Sequence, residues 1–111
     1  MNYKIAVGSR DGKAVTEHFG GCKSFCIITV DEESSTYKFM GFRDIVPPCN
    51  GAEHSEDGLE AAAEALSDCR TVLVARIGNG AQLVLERHGI DVLEYYGFID
   101  DALKRIIQYY R

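Results

Sequence analysis

The sequence lacks the features that mark several large classes of protein. Its 111 residues contain no apolar run long enough to cross a bilayer, and the N-terminus runs into a strand-like segment without a targeting signal. Basic residues are scarce, since 12 Lys and Arg stand against 17 Asp and Glu, for a formal charge of −5. Nucleic acid is therefore not an expected partner, because its interface needs a basic face. We expect one cytoplasmic domain, residues 1–111, with no membrane partner.

Several catalytic and metal-binding motifs are also missing. The chain contains no phosphate-binding loop and no nucleophile elbow. Its four cysteines do not form the two close pairs of a structural zinc site, and the Cys-x3-Cys-x2-Cys triad of radical enzymes is absent. A chain of this size can bury a core without disulfides. In a cytosolic protein such thiols are more often metal ligands, catalytic groups or plain buried residues.

Hydrophobic patterning predicts three antiparallel strands, followed by helices and strands in alternation. The predicted strands of the first half cover residues 3–9, 25–31 and 37–46. The second half is predicted to contain a helix after Ser55, a buried strand at 71–77, a helix at 81–88, a strand at 90–94 and a C-terminal helix after Gly97. The order βββαβαβα predicts an α/β fold with a mixed five-stranded sheet and helices on its faces.

The densest group of ligand-type side chains lies between residues 17 and 26, in the sequence EHFGGCKSFC. His18 precedes two glycines, whose small size would let a bulky ligand approach the backbone. Cys22 lies four residues on, and one helical turn at 21–24 would point both side chains the same way. Imidazole and thiolate suit soft metals and clusters. By spacing alone, a lone loop histidine is more often a plain surface residue, and Cys26, within an apolar strand, is expected in the core.

A second group of candidates follows Pro47-Pro48. Cys49 comes directly after the prolines and is expected to be exposed, where an unused thiol carries an oxidation risk. His54 shares this loop and suits equally a ligand or a polar residue ahead of a helix cap. Cys69 and His88 are expected to be structural. The hypothesis is that the His18 and Cys49 loops meet and hold a metal or a metal–sulfur species.

One set of short segments extends over roughly residues 3–110. It comprises Ile5-Ala6-Val7, Glu17-His18-Phe19-Gly20, Phe25 to Val30, Cys49-Asn50-Gly51, Leu66-Ser67-Asp68-Cys69, Val72 to Ala75, Ile77-Gly78 and Gly89-Ile90. Together they resemble the dinitrogenase iron–molybdenum cofactor biosynthesis family, which includes NifX-like proteins and the C-terminal domain of NifB. The resemblance implies a ribonuclease-H-like fold. It also implies non-enzymatic binding, carriage or insertion of an iron–sulfur or iron–molybdenum cluster or its precursor.

The resemblance also implies a set of site residues. His18 of the His-Phe-Gly element is the leading cluster contact, with Gly20 shaping its loop, and Cys49 of the Cys-x-Gly element is the second. Cys22 lies outside the family pattern and would be an addition particular to this chain. The expected metal ligands are His18, Cys22 and Cys49, and the wider cofactor-binding set adds Gly20 and His54. The expected partner is a cluster donor or acceptor protein, because this chain carries no radical S-adenosylmethionine domain of its own.

Three other interpretations remain open at this point. A thiol-based redox or regulatory metal-binding protein would use Cys22, Cys26 or Cys49. A ribonuclease-H-like nuclease would need several carboxylates around divalent ions, usually beginning with one on the first strand. Residues 3–9 contain no acid, so the nuclease is less favoured than the thiol-based redox or regulatory protein. The chain could also be a small structural domain whose ligand site has decayed.

Overall fold

A computed structural model of the chain describes residues 1–47 and 56–110, which form seven strands, three α-helices and one short 3-10 helix. The strands are β1 (Asn2–Gly8), β2 (Ala14–Val15), β3 (Ser24–Asp31), β4 (Thr36–Asp44), β5 (Thr71–Val74), β6 (Asp91–Glu94) and β7 (Gly97–Phe98). The helices are α1 (Glu56–Ala65), α2 (Asn79–Arg87) and α3 (Ile99–Tyr109), and the 3-10 helix is Phe19–Gly21. Among these described helices, none has the length and apolar character needed to span a membrane.

The main sheet has five strands in the order β4-β3-β1-β5-β6. Strand β3 is antiparallel to both β1 and β4, whereas β5 runs parallel to β1 and β6 runs parallel to β5. The predicted mixed five-stranded sheet is therefore confirmed, with β1 at its centre. The ribonuclease-H-like label for this fold stays a prediction.

Two apolar layers cover the faces of this sheet. Successive residues of a strand point to opposite faces, so Ala6 packs with α1 and α2 on one side, while Ile5 and Val7 pack with α3 on the other. The predicted apolar stripe of α1 is confirmed, because its four members are buried in the first layer: Leu59, Ala62, Ala63 and Leu66. The described helices thus cover both faces of the sheet and leave the ends of its strands uncovered.

Strand β4 is the edge strand on one side, and no described residue pairs with its outer edge. A bulge interrupts its pairing with β3 opposite Ile27 and Ile28, where Gly41 has φ +122°. Bulges of this kind make an edge a poor template for further strands. The strand still exposes four large apolar side chains, Tyr37, Phe39, Met40 and Phe42.

The structure differs from the predicted elements in two places. A two-stranded sheet joins β2 to β7 through the pairs Ala14–Phe98 and Val15–Gly97. The predicted order omits β7, because two residues are too few to show an alternating pattern. The buried strand predicted at 71–77 ends at Val74. Its continuation departs because the amide of Ala75 donates instead to the carbonyl of Glu17, at 3.0 Å.

Candidate functional site

The carboxyl ends of several strands meet at one edge of the sheet. Strands β1, β5 and β6 are parallel, and two antiparallel steps through β3 make β4 parallel to them as well. In open α/β sheets, ligands bind outside the carboxyl ends of the strands. This edge is therefore the first place to look for a site, and the loop that contains His18 lies across it.

His18 is held at this edge by backbone hydrogen bonds on both sides. The amide of Glu17 donates to the carbonyl of Gly8 at the end of β1, at 3.1 Å, and the Glu17 carbonyl accepts from Ala75. The amide of Phe19 donates to the carbonyl of Arg76 at 2.9 Å, so residues 18 and 76 form a parallel bridge. The His18 side chain is exposed. The fold therefore presents an imidazole to solvent from a backbone that is fixed to two strand ends.

Two residues determine how closely this loop packs on the sheet. A Cβ at Gly8 would lie 3.0 Å from Cγ1 of Val74 and 3.3 Å from Cβ of Glu17, so the close crossing favours a glycine. Phe19 is 1% exposed, and its ring packs against Phe25 with a centroid distance of 5.9 Å. The buried Phe19 ring thus anchors the loop to the core, while the adjacent His18 is exposed. Sequence reasoning missed the role of Gly8, for which the signal was a glycine that ends an apolar strand.

Cys22 lies in the core. The predicted helical turn at 21–24 is instead the 3-10 helix at 19–21, and Cys22 follows it in extended conformation. Its Sγ donates to the carbonyl of Ser24 at 3.2 Å, and its side chain is fully buried. Burial raises the pKa of the Cys22 thiol to about 11, to which the carboxylate of Glu17 adds. A ligand role for Cys22 stays a prediction, and it would require this residue to leave the core.

The remaining candidates divide into buried thiols and residues that the structure does not describe. Cys26 and Cys69 are buried, as expected, and burial raises the pKa of each thiol to about 11. Cys49 and His54 lie outside the described residues. Strand β4 ends at the same edge as the loop that contains His18, and just beyond the strand the amide of Ile45 donates to the carbonyl of Lys23 at 2.9 Å.

The described part of the chain does not by itself supply a complete metal site. No three His, Cys, Asp or Glu side chains converge there. His88, expected to be structural, ends α2 and pairs with Glu60 at 2.7 Å. Glu94, at the end of β6, accepts from the amide of Ile77 at 2.9 Å. Among the described residues, His18 is therefore the exposed imidazole at the carboxyl edge.

Comparisons with known proteins bear on this arrangement. Residues 1–109 match the family model described as dinitrogenase iron-molybdenum cofactor. The FeMo cofactor biosynthesis protein NifB of Chlorobaculum tepidum is 37% identical over 99 residues, which cover 89% of this chain and 22% of that protein. NifB of Herbaspirillum seropedicae is 35% identical over 105 residues, which cover 93% of this chain and 20% of that protein. The chain thus spans about a fifth of the length of the curated relatives it matches.

A solved structure shares the fold. The apo form of the orange protein from Desulfovibrio gigas superposes with a TM-score of 0.61 at 21% identity, covering 96% of this chain and 88% of that one.

Proposed function

Because the chain belongs to the dinitrogenase iron-molybdenum cofactor family, we propose that it binds and carries an iron–sulfur or iron–molybdenum cluster, or a precursor of one, without catalysing a reaction. His18 is the principal protein ligand in this proposal. Cys49 is the second ligand, and Gly20 and His54 lie near the bound cluster. The cluster is cargo, received from a donor protein and passed to an acceptor protein in the cytoplasm.

The observation that carries the proposal is the exposed imidazole of His18 at the carboxyl edge of the parallel strands. Imidazole nitrogen is a good ligand for iron, and it can replace a labile ligand on a preformed cluster. The backbone on both sides of His18 is hydrogen-bonded to Gly8 and to the residues after β5. A fixed loop lowers the entropic cost of ordering the ligand when the cluster binds.

The chemistry of the donor set favours carriage over cluster assembly. Three of the four cysteines are buried thiols, and burial raises their pKa values to about 11. These three side chains lie in the core, so a cluster at the surface could reach them only if the chain rearranged. A cluster bound here would keep its own sulfides and take few ligands from the protein. Attachment through one or two protein ligands is easily exchanged, which a carrier requires.

The same burial disfavours a thiol-based redox function for the cysteines that the structure describes. Reactive thiols are found in exposed, electropositive surroundings, and the three described thiols are in the core. For the nuclease alternative, strand β1 reads NYKIAVG and presents no carboxylate. Neither alternative gains a specific observation in its favour.

Anaerobic reconstitution tests the proposal. Wild type and the His18→Ala, Cys49→Ala and double variants are treated with iron and sulfide, or with a preformed cluster, and uptake is followed by visible absorption and iron content. Removal of a direct ligand should weaken uptake at least tenfold, since even the loss of a residue that hydrogen-bonds to a metal ligand costs about 10- to 100-fold in metal affinity. Free imidazole should partly restore uptake by His18→Ala, because the vacated position is open to solvent.

His88→Ala is the matched control, because that imidazole pairs with Glu60 at the far end of α2. It should take up as much metal as wild type. Equal uptake by wild type and the His18→Ala/Cys49→Ala double variant would show that the site assignment is wrong.

A further inference from the structure

A cavity of about 590 Å³ lies against the flank of the His18 loop. Its walls come from Ser9 and Arg10 in the turn after β1, from residues of the 17–24 loop, and from Phe42 on the edge strand β4. Gly21 forms part of the wall, and a Cβ there would meet no atom within 4 Å. The cavity is therefore open to solvent and borders the loop that carries His18.

Two cationic residues line this cavity in a chain whose formal charge is −5. Arg10 lies in the turn after β1 and Lys23 in the 17–24 loop, and Glu17 is the one acidic residue among the described residues that line the cavity. Nη2 of Arg10 lies 3.5 Å from Oε2 of Glu17, while the Arg10 side chain is 82% exposed and that of Glu17 is 23% exposed. Such a long, solvent-exposed ion pair is weak. An incoming anion can therefore compete with Glu17 for the guanidinium.

We propose that this cavity is an anion subsite, in which Arg10 and Lys23 hold the negatively charged inorganic part of the cargo next to the loop that carries His18. The identity of the ligand as a metal-bearing anion rests on the proposed function. The volume exceeds what a single tetrahedral oxyanion needs and leaves room for a small cluster. Glu17 pairs with the guanidinium when no anion is bound, and it therefore competes with an incoming anion.

This arrangement predicts effects of opposite sign at neighbouring positions. Arg10→Gln and Lys23→Gln each remove an attraction and should weaken anion binding by about two- to fivefold, the range of an exposed ion pair. Glu17→Gln removes the competing carboxylate and should tighten binding by a similar factor. A change that merely disturbed the loop would weaken binding in all three variants.

The test uses sodium molybdate, a dianion at neutral pH, added to the apo protein at constant ionic strength. Affinity is measured by calorimetry, and the site is located by amide chemical shifts of Gly21 and Lys23. Sodium chloride at the same ionic strength serves as the ion control. Lys104→Gln, at an exposed position of α3, is the charge-matched control and should bind like wild type.

Three results would overturn the subsite. The first is no detectable binding at about 10 mM molybdate, because a small anion in such a site should bind with a dissociation constant of about 1 mM. The second is equal affinity in the Arg10, Lys23 and Glu17 variants, and the third is a loss of binding confined to His18→Ala. The last result would place the anion at the imidazole and leave the proposed function standing. Conversely, cavity variants that behave as predicted alongside unchanged cluster uptake by His18→Ala would support the subsite and refute the His18 assignment.

Discussion

Alanine at position 8 would test the close crossing on which the position of His18 depends. The new Cβ would lie 3.0 Å from Cγ1 of Val74, 3.3 Å from Cβ of Glu17 and 3.4 Å from the Glu17 carbonyl oxygen. Carbon atoms in contact normally lie about 3.5–4.0 Å apart. Neither neighbour can move freely, because Val74 is fully buried in β5 and the Glu17 backbone is hydrogen-bonded to both Gly8 and Ala75.

The expected magnitude follows from two opposing terms. Overpacking in a well-packed region costs about 1–3 kcal/mol. Replacing glycine by alanine returns about 0.4–1 kcal/mol, because the unfolded chain loses conformational freedom. Gly8→Ala should therefore lower the free energy of unfolding by roughly 1–2 kcal/mol. By displacing the Glu17 backbone, it should also reduce cluster uptake under conditions in which the variant remains folded.

Urea unfolding, followed by circular dichroism, measures this change. Gly80→Ala is the matched control, because Gly80 lies in the first turn of α2 and a Cβ there would meet no atom within 4 Å. It should leave the free energy of unfolding unchanged or raise it by up to about 1 kcal/mol. A Gly8→Ala variant as stable as wild type would refute the close approach of the loop to β1 and β5.

Two further predictions concern the charged surface and the cysteines. Arg43, hydrogen-bonded to Asp68 at 2.7 and 2.9 Å, holds the pKa of that carboxyl well below its usual range, with Lys4 contributing. At pH 7 Asp68→Asn should therefore cost about 1 kcal/mol, a figure limited by solvent screening. The pKa of Asp68 is lower in the folded than in the unfolded chain, so the difference in free energy of unfolding between wild type and Asp68→Asn should shrink as the pH falls below about 4. Urea titrations measure this difference, and a difference that stayed constant with pH would contradict the ion pair. In a Cys49→Ser variant, Ellman's reagent at pH 8 should find almost no reactive thiol until denaturant exposes the buried three: Cys22, Cys26 and Cys69. Rapid native reaction would refute their burial.

The strands and helices with a regular apolar pattern could be predicted from the sequence, because each pattern is contained within a short stretch of consecutive residues. The alternation of residues 25–31 placed Cys26 with Ile28 and Val30, and those three side chains are buried together against α3. The apolar repeat of α1 and the mixed sheet followed in the same way.

The geometry of the site could not be predicted from local pattern. The spacing of His18 and Cys22 suggested one helical face, but the chain makes a single 3-10 turn and directs the thiol into the core. The bridge between His18 and Arg76 joins residues that are far apart in sequence, and no local pattern encodes it. Gly8 and Glu17 show their roles only once the loop is seen to cross β1.

The central position of β1 has a consequence for the order in which the molecule can assemble. On one side β1 pairs with β3, which is synthesised soon after it. On the other side β1 pairs with β5, which is synthesised only in the second half of the chain. Pairing between distant segments forms late, because a long loop must close first. The loop of His18 is fastened to the residues that follow β5. A partly synthesised or partly folded chain therefore lacks a fixed imidazole, and under the proposed function only molecules that have finished folding would accept cargo.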